Sequence, residues 1–87
     1  MTHKPDQNLT ITIQTTQGDW VTTTDKNTKV FALISAICQH FKFVPDGKYE
    51  LELVGGTENP LRQNRPLVSY GIKDDDTLIF TDLGVAV

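Results

Sequence analysis

The 87-residue chain has few cysteines, few histidines and no long apolar run, and each shortage excludes a class of protein. Cys38 is its single cysteine, so an internal disulfide is impossible, and with His3 and His40 it offers none of the paired spacings of a zinc site. No stretch approaches the roughly 18 apolar residues that cross a bilayer, and the first residues lack the apolar core of a secretory signal. We therefore expect a cytoplasmic protein that needs no metal or cofactor and binds no membrane.

Basic residues are also scarce, with eight Lys and Arg against eleven Asp and Glu and a net charge of -3. Because binding to phosphates needs clustered cations, we expect a protein partner rather than a nucleic acid. A chain this short forms one domain that buries roughly 60 to 65% of the surface of its unfolded form, which leaves little room for a catalytic cleft. We expect a protein that is not an enzyme and is a monomer when free.

The N-terminal part of the sequence predicts a polar arm followed by a β-hairpin. Residues 1–8 are polar and show no period, which predicts a short flexible arm. From Leu9 onward apolar and polar residues alternate, and a tight turn at residues 17–19 separates this run from a second β-branched run, Trp20 to Thr24. Together these runs predict a hairpin over residues 9–24. Its buried face is expected to carry Leu9, Ile11 and Ile13.

An amphipathic helix is predicted after the hairpin. Asn27 or Thr28 is expected to be its N-cap, because their side-chain oxygens can accept a hydrogen bond from a free amide of the first turn. Pro45-Asp46-Gly47 is expected to end it, because proline cannot continue the helical hydrogen bonds. Cys38 borders the apolar stripe and points away from His40, so we expect a buried structural thiol rather than a nucleophile. The stripe consists of Val30, Leu33, Ile34, Ile37 and Phe41.

A third strand is predicted over residues 49–54, where apolar and acidic residues alternate. Its inward face is expected to carry Tyr49, Leu51 and Leu53. Residues 55–66 contain Gly, Asn and Pro without an apolar period, which is typical of a loop. We expect a short edge strand around Leu61 within this loop.

The C-terminal part predicts a compact helical turn and a last strand. Residues 66–72 should form the turn, which ends at Gly71 and buries Leu67 and Ile72. Residues 77–81 should form the strand, with Leu78 and Phe80 inward. The order of these elements predicts an α+β fold of the β-grasp type, with one main helix packed across a mixed sheet of four to five strands.

The segment from Arg65 to Leu78, RPLVSYGIKDDDTL, resembles the signature that precedes the final strand of ubiquitin-like proteins. Residues 9–84 accordingly resemble the ubiquitin-like β-grasp family. They are most similar to bacterial ubiquitin-like modifiers from operons that carry homologues of an activating enzyme, a conjugating enzyme and a JAB peptidase. The resemblance implies a ubiquitin-like domain over residues 9–84 and a cleavable extension over residues 85–87.

In conjugated members of this family, the carboxylate of a C-terminal glycine is adenylated, passed to an enzyme cysteine as a thioester and joined to a target amine. Here Gly84 is followed by Val85-Ala86-Val87, which fits a precursor cut between Gly84 and Val85. The resemblance therefore implies a protein modifier whose partners are an activating enzyme, a conjugating enzyme and a JAB-type peptidase.

The tail also departs from the family pattern. It lacks a terminal diglycine, and Asp82 and Leu83 stand where ubiquitin has basic residues. Gly84 lies about three positions nearer the last strand than the family's terminal glycine, which shortens its reach by about 10 Å. Two alternatives stay open. One is a non-conjugated interaction module, similar to the ubiquitin-like subunits of type VII secretion operons, and the other is a sulfur carrier with a terminal thiocarboxylate.

A partner-binding surface is expected mainly on the outer face of the sheet, where this chain is more polar than ubiquitin. Trp20 is a candidate anchor if the hairpin register turns it outward, because exposed tryptophan is enriched at interface hot spots. The alternative is a Trp20 packed at the margin of the sheet. The candidate surface residues are Trp20, Glu52, Val54, Ile79, Thr81 and Leu83.

Overall fold

The computed structural model describes residues 8–44 and 47–84. In chain order the elements are strand β1 (Asn8–Thr15), strand β2 (Gly18–Asp25), helix α1 (Val30–Phe41), strand β3 (Lys48–Leu53), a 3-10 helix (Leu67–Tyr70) and strand β4 (Thr77–Gly84). The predicted arm, apart from Asn8, and the predicted extension over residues 85–87 lie outside the described residues.

The strands form one four-stranded mixed sheet in the order β2-β1-β4-β3. β1 is antiparallel to β2 and parallel to β4, and β3 is antiparallel to β4. α1 packs across one face of the sheet, and the buried side chains of helix and sheet form one core. This architecture confirms the predicted α+β β-grasp with one main helix. In the described ranges, no helix is both long enough and apolar enough to span a membrane.

The core follows the periodicity of the sequence. In β1 every second side chain is buried, because successive side chains of a strand point to opposite faces. Phe41, predicted on the helical stripe, is only half-buried but packs against the core. Cys38, predicted at the border of the stripe, is itself a core residue. The buried residues of α1 are Val30, Leu33, Ile34, Ile37 and Cys38.

The start of α1 differs from the prediction of an Asn27 or Thr28 cap. The N-cap is Lys29, with extended backbone and no side-chain capping hydrogen bond among the described residues. Instead, the amides of Val30 and Phe31 donate to carbonyl oxygens of the loop before the 3-10 helix, each at 3.0 Å. Two amides of the first turn thus donate to carbonyl groups more than thirty positions away in sequence, which local cap preferences do not reveal.

The end of α1 also differs from the predicted stop at Pro45-Asp46-Gly47. The C-cap is Lys42, whose φ of 62° is left-handed, and the next amide, that of Phe43, donates to the Cys38 carbonyl at 2.9 Å. This reversal ends the helix before the proline is reached. Pro45 and Asp46 lie outside the described residues.

The predicted edge strand around Leu61 is wrong, since within residues 47–84 the loop beside β3 contains no strand. One backbone hydrogen bond joins Leu61 to Leu51 at 2.8 Å. The side-chain amide of Asn59 accepts from the Leu53 N–H at 2.9 Å and donates to the Leu53 carbonyl at 3.2 Å. Gln63 donates similarly to the Tyr49 carbonyl. Along the edge of β3, hydrogen bonds from side-chain amides therefore replace most of the backbone hydrogen bonds that a neighbouring strand would form.

The last two elements agree with the sequence. The 3-10 helix ends at Gly71, whose φ of 71° suits glycine, and it buries Leu67. Ile72, Leu78 and Phe80 are buried as predicted. β4 continues past the predicted end at Thr81, because its final residues pair with β3.

Candidate functional site

Gly84, the predicted processing point, is the exposed last residue of β4. It pairs with Lys48 of β3, and its N–H donates to Asp82 Oδ1 at 2.8 Å. Its φ of 93° lies in a region that residues with a Cβ rarely adopt. No atom of the described residues lies within 4 Å of the position that a Cβ would occupy. The backbone is therefore open on that side. Val85, the other residue of the predicted cleavage site, lies outside the described residues.

A β-bulge next to Gly84 interrupts the alternation of β4. Lys48 pairs with Gly84 and Tyr49 pairs with Asp82, so Leu83 has no residue opposite it on β3. An extra residue of this kind turns its side chain away from the direction that alternation predicts. Leu83 accordingly lines a groove beside α1 and does not join the outer-face residues.

This α1–β3 groove lies between α1 and the edge formed by β3 and the end of β4, with a volume of about 830 Å³. Phe31 contributes to its helical side, and Cys38 and Tyr49 are among its buried lining residues. Lys42 and Lys48 also line it. Sequence reasoning missed the groove because its shape depends on the bulge. The one local signal was Phe31, a large apolar residue that lies off the helical stripe.

The other candidate surface residues are divided between two faces. Glu52 lies opposite Ile79 on the outer face, and strand alternation places Thr81 on the same face. Val54 lies in the turn that follows β3, where its N–H donates to the Thr77 carbonyl at 3.1 Å. Val54 is 55% exposed and Ile79 is 37% exposed. The face carries the acidic side chain of Glu52, and β1, β2 and β4 contribute no Lys or Arg to it. The structure thus brings Glu52, Ile79 and Thr81 together, places Val54 in the adjoining turn, and separates these residues from Trp20 and Leu83.

Trp20 lies on the helix side of the sheet, because it pairs with the buried Ile13. Its ring stacks on His40 with centroids 4.0 Å apart and planes 8° apart, and it meets Phe41 edge to face at 6.3 Å. It is half-buried. The register therefore packs Trp20 at the margin of the sheet, the second of the two arrangements considered above.

Cys38 is buried, whereas His40 is exposed and stacks on Trp20, so the two side chains do not form a catalytic pair. Burial raises the pKa of the Cys38 thiol, a hydrogen bond with Tyr49 opposes this shift, and the charge of Asp82 adds to it. The Tyr49 hydroxyl donates to the Val44 carbonyl, and burial raises the pKa of Tyr49 as well.

Among the described residues, no group of three or more His, Cys, Asp and Glu side chains could hold a metal ion.

Comparisons with known proteins agree on the fold. The sequence matches no protein-family model and no curated protein. Caldiarchaeum subterraneum ubiquitin superposes with a TM-score of 0.75 at 23% identity, over 92% of this chain and 99% of that one. The ubiquitin-like domain of an Arabidopsis thaliana protein gives 0.77 at 15% identity, over 97% and 86% of the two chains. The UBL domain of Plasmodium falciparum Dsk2 gives 0.73 at 16% identity, over 86% and 97%. These likenesses establish that the chain has a ubiquitin-like fold.

Proposed function

We propose that the chain is a ubiquitin-like protein modifier, cut after Gly84 and joined through the Gly84 carboxylate to amines of target proteins. The observation that carries this proposal is an exposed glycine at the end of the last strand of a ubiquitin-like fold, with open space around its Cβ position. A residue without a side chain can enter a narrow enzyme channel and leaves its carbonyl accessible to a nucleophile.

Partner enzymes catalyse every step of the proposed reaction. A JAB-type peptidase hydrolyses the Gly84–Val85 bond and frees the Gly84 carboxylate. An activating enzyme joins that carboxylate to the AMP of ATP and releases pyrophosphate, and its cysteine thiolate then displaces AMP to form a thioester. After transfer to a conjugating enzyme, a target amine attacks the thioester carbonyl, releases the thiol and forms an isopeptide bond. This chain supplies the acyl group and the surfaces that the enzymes recognise.

The pairing of Gly84 with Lys48 sets a condition on this reaction. A strand end that remains in the sheet cannot extend into an enzyme, so the last residues of β4 must first separate from β3. Terminal residues with exposed backbone hydrogen bonds open at low free-energy cost, and Asp82, Leu83 and Gly84 are all exposed. Local opening of the strand end is therefore compatible with the proposed chemistry.

A non-conjugated interaction module is the second candidate, and the same pairing favours it. A chain that keeps Gly84 in its sheet presents no extended tail, as in the ubiquitin-like subunits of type VII secretion operons. Its binding surface would then be the outer face around Glu52, Val54 and Ile79. Because this face carries Glu52 and β1, β2 and β4 add no Lys or Arg to it, it favours a partner with a basic surface.

Intact-mass measurement of the chain isolated from its native host tests the proposal. We expect a species that ends at Gly84 and adducts of higher mass. Recovery of only the chain that retains Val87, without adducts, would refute the modifier and support the interaction module.

Substitution of Gly84 gives the second part of the test. Gly84→Ala and Gly84→Lys should abolish the adducts while the fold is retained, because both place a side chain next to the reacting carbonyl. Gly55→Ala is the matched control, since Gly55 also has a positive φ, of 83°, and no described atom near its Cβ position. If Gly55→Ala lost the adducts equally, backbone strain rather than the reacting position would explain the result.

A further inference from the structure

Two large apolar side chains are exposed in the α1–β3 groove. Phe31, from α1, is 50% exposed, and Leu83, from the end of β4, is 53% exposed. The groove volume of about 830 Å³ falls in the range of pockets that bind ligands or side chains. A partner that enters this groove contacts exposed apolar side chains as well as the polar residues that line it. The groove can therefore bury an apolar side chain of a partner.

Two lysine side chains lie beside the exposed apolar side chains of the groove. Lys42 and Lys48 both line the groove and are exposed, and neither forms an ion pair with another described residue. Glu50 is the acidic residue among the lining. The lining therefore carries two positive charges and one negative charge, whereas the chain as a whole has a net charge of -3 and the outer face has Glu52 opposite Ile79. An acidic partner is thus repelled by the outer face and attracted by the two lysines.

The buried polar side-chain atoms that line the groove already form hydrogen bonds within the chain. Tyr49 donates its hydroxyl hydrogen to the Val44 carbonyl oxygen. In the described part of the chain, no buried side-chain nitrogen or oxygen lacks a hydrogen-bond partner. Binding here would gain its free energy from apolar burial and from the lysines, which is typical of a docking surface.

The groove is continuous with the proposed processing point. Leu83 directly precedes Gly84, and consecutive Cα atoms are about 3.8 Å apart. The last residues of β4 separate from β3 before Gly84 enters an enzyme, so Phe31, Lys42 and Lys48 are the groove residues that remain in place, and an enzyme that receives Gly84 lies next to them. We propose that the α1–β3 groove is the docking site of this processing enzyme, which inserts an apolar side chain flanked by Asp or Glu residues. The inference rests on the proposed processing after Gly84.

Processing of full-length variants in the native host tests the docking site. Phe31→Ser, and separately the double variant Lys42→Glu/Lys48→Glu, should lower the fraction of chain that ends at Gly84 by about tenfold. Phe31→Leu retains an apolar side chain and should be processed like the wild type. Intact mass gives the processed fraction, and the midpoint of thermal unfolding shows whether each variant is folded.

The controls are changes of the same kind outside the groove. Val21→Ser removes an apolar side chain that is 64% exposed on β2, and Lys26→Glu/Lys29→Glu reverses two other charges. Both should be processed normally. If the wild type is processed and the groove variants are processed equally well, the docking site is refuted and the proposed function is retained. If the wild type itself is never cut after Gly84, the proposed function fails and the docking site fails with it.

Discussion

Cys38 has 7% of its surface exposed and lies in the core. His40, two positions further along α1, is exposed and stacks on Trp20. The two side chains therefore point to different parts of the molecule, and His40 does not activate the thiol. Burial raises the pKa of Cys38 and disfavours the thiolate. At the residue scale, burial makes the single cysteine a core side chain of low reactivity.

Thiol reactivity should report this burial. Cys38 should react with a disulfide reagent much more slowly in the native chain than in the urea-unfolded chain at the same pH. Folding favours the protonated thiol, so this contribution to stability is complete below the ordinary pKa of 9.0 and is lost as the pH rises toward the higher native value. Thiolate absorbance against pH measures the native pKa. Equal reaction rates in the native and unfolded chains at pH 8 would contradict the buried position.

At the scale of elements, the edge of the sheet formed by β3 is covered by a loop. The edge of β3 is covered by the loop that contains Asn59, Leu61 and Gln63, mostly through side-chain amides. Asn59 acts as both donor and acceptor for Leu53, much as a paired strand residue would. Covering an edge strand in this way protects it from pairing with another chain. The loop before the 3-10 helix thus stabilises β3 and supplies carbonyl oxygens to the start of α1.

Removal of the Asn59 amide should destabilise the chain measurably. A typical net contribution is about 0.5 to 1.5 kcal/mol for each hydrogen bond, so Asn59→Ala should lower the free energy of unfolding by roughly 1 to 3 kcal/mol. Urea unfolding measures the change, and the Leu53 amide should exchange faster with solvent. Asn64→Ala, at an exposed position of the same loop, is the control and should change stability little. Equal effects of the two substitutions would mean that the edge does not depend on Asn59.

At the scale of the whole molecule, one core joins α1 to all four strands and the loop. Its fully buried members include Ile11, Ile13 and Ile37. A chain of this length has a total stability of only about 4 to 13 kcal/mol at the usual values per residue. Loss of one well-packed side chain is therefore a large fraction of the total.

Two isoleucines with different exposure test this dependence. Ile37 is completely buried, so Ile37→Ala should cost roughly 2 to 5 kcal/mol and could unfold the chain at moderate temperature. Ile79 on the outer face is 37% exposed, and Ile79→Ala should cost much less. Thermal and urea unfolding compare the two variants. Equal losses of stability would show that the helical stripe does not form the centre of the core.

The sequence by itself determined the order of elements, the buried face of each strand and the apolar stripe of α1. These features depend on side-chain periods of 2.0 and 3.6 residues, which are local properties of the chain. The compact turn ending at Gly71 was equally predictable, because a left-handed residue there favours glycine. The position of Gly84 near the end of the chain was visible too, although its pairing with Lys48 was not.

Only the tertiary structure decided how α1 begins, what covers the edge of β3 and where Trp20 and Leu83 point. The first turn of α1 and the edge of β3 are satisfied by loop groups that are distant in sequence, so local cap and strand preferences could not identify them. The direction of Leu83 depends on a bulge in the pairing of β3 with β4. That single register shift places an apolar side chain in the α1–β3 groove beside Gly84. The sequence alone does not reveal the shift, because strand register is set by contacts across the whole sheet.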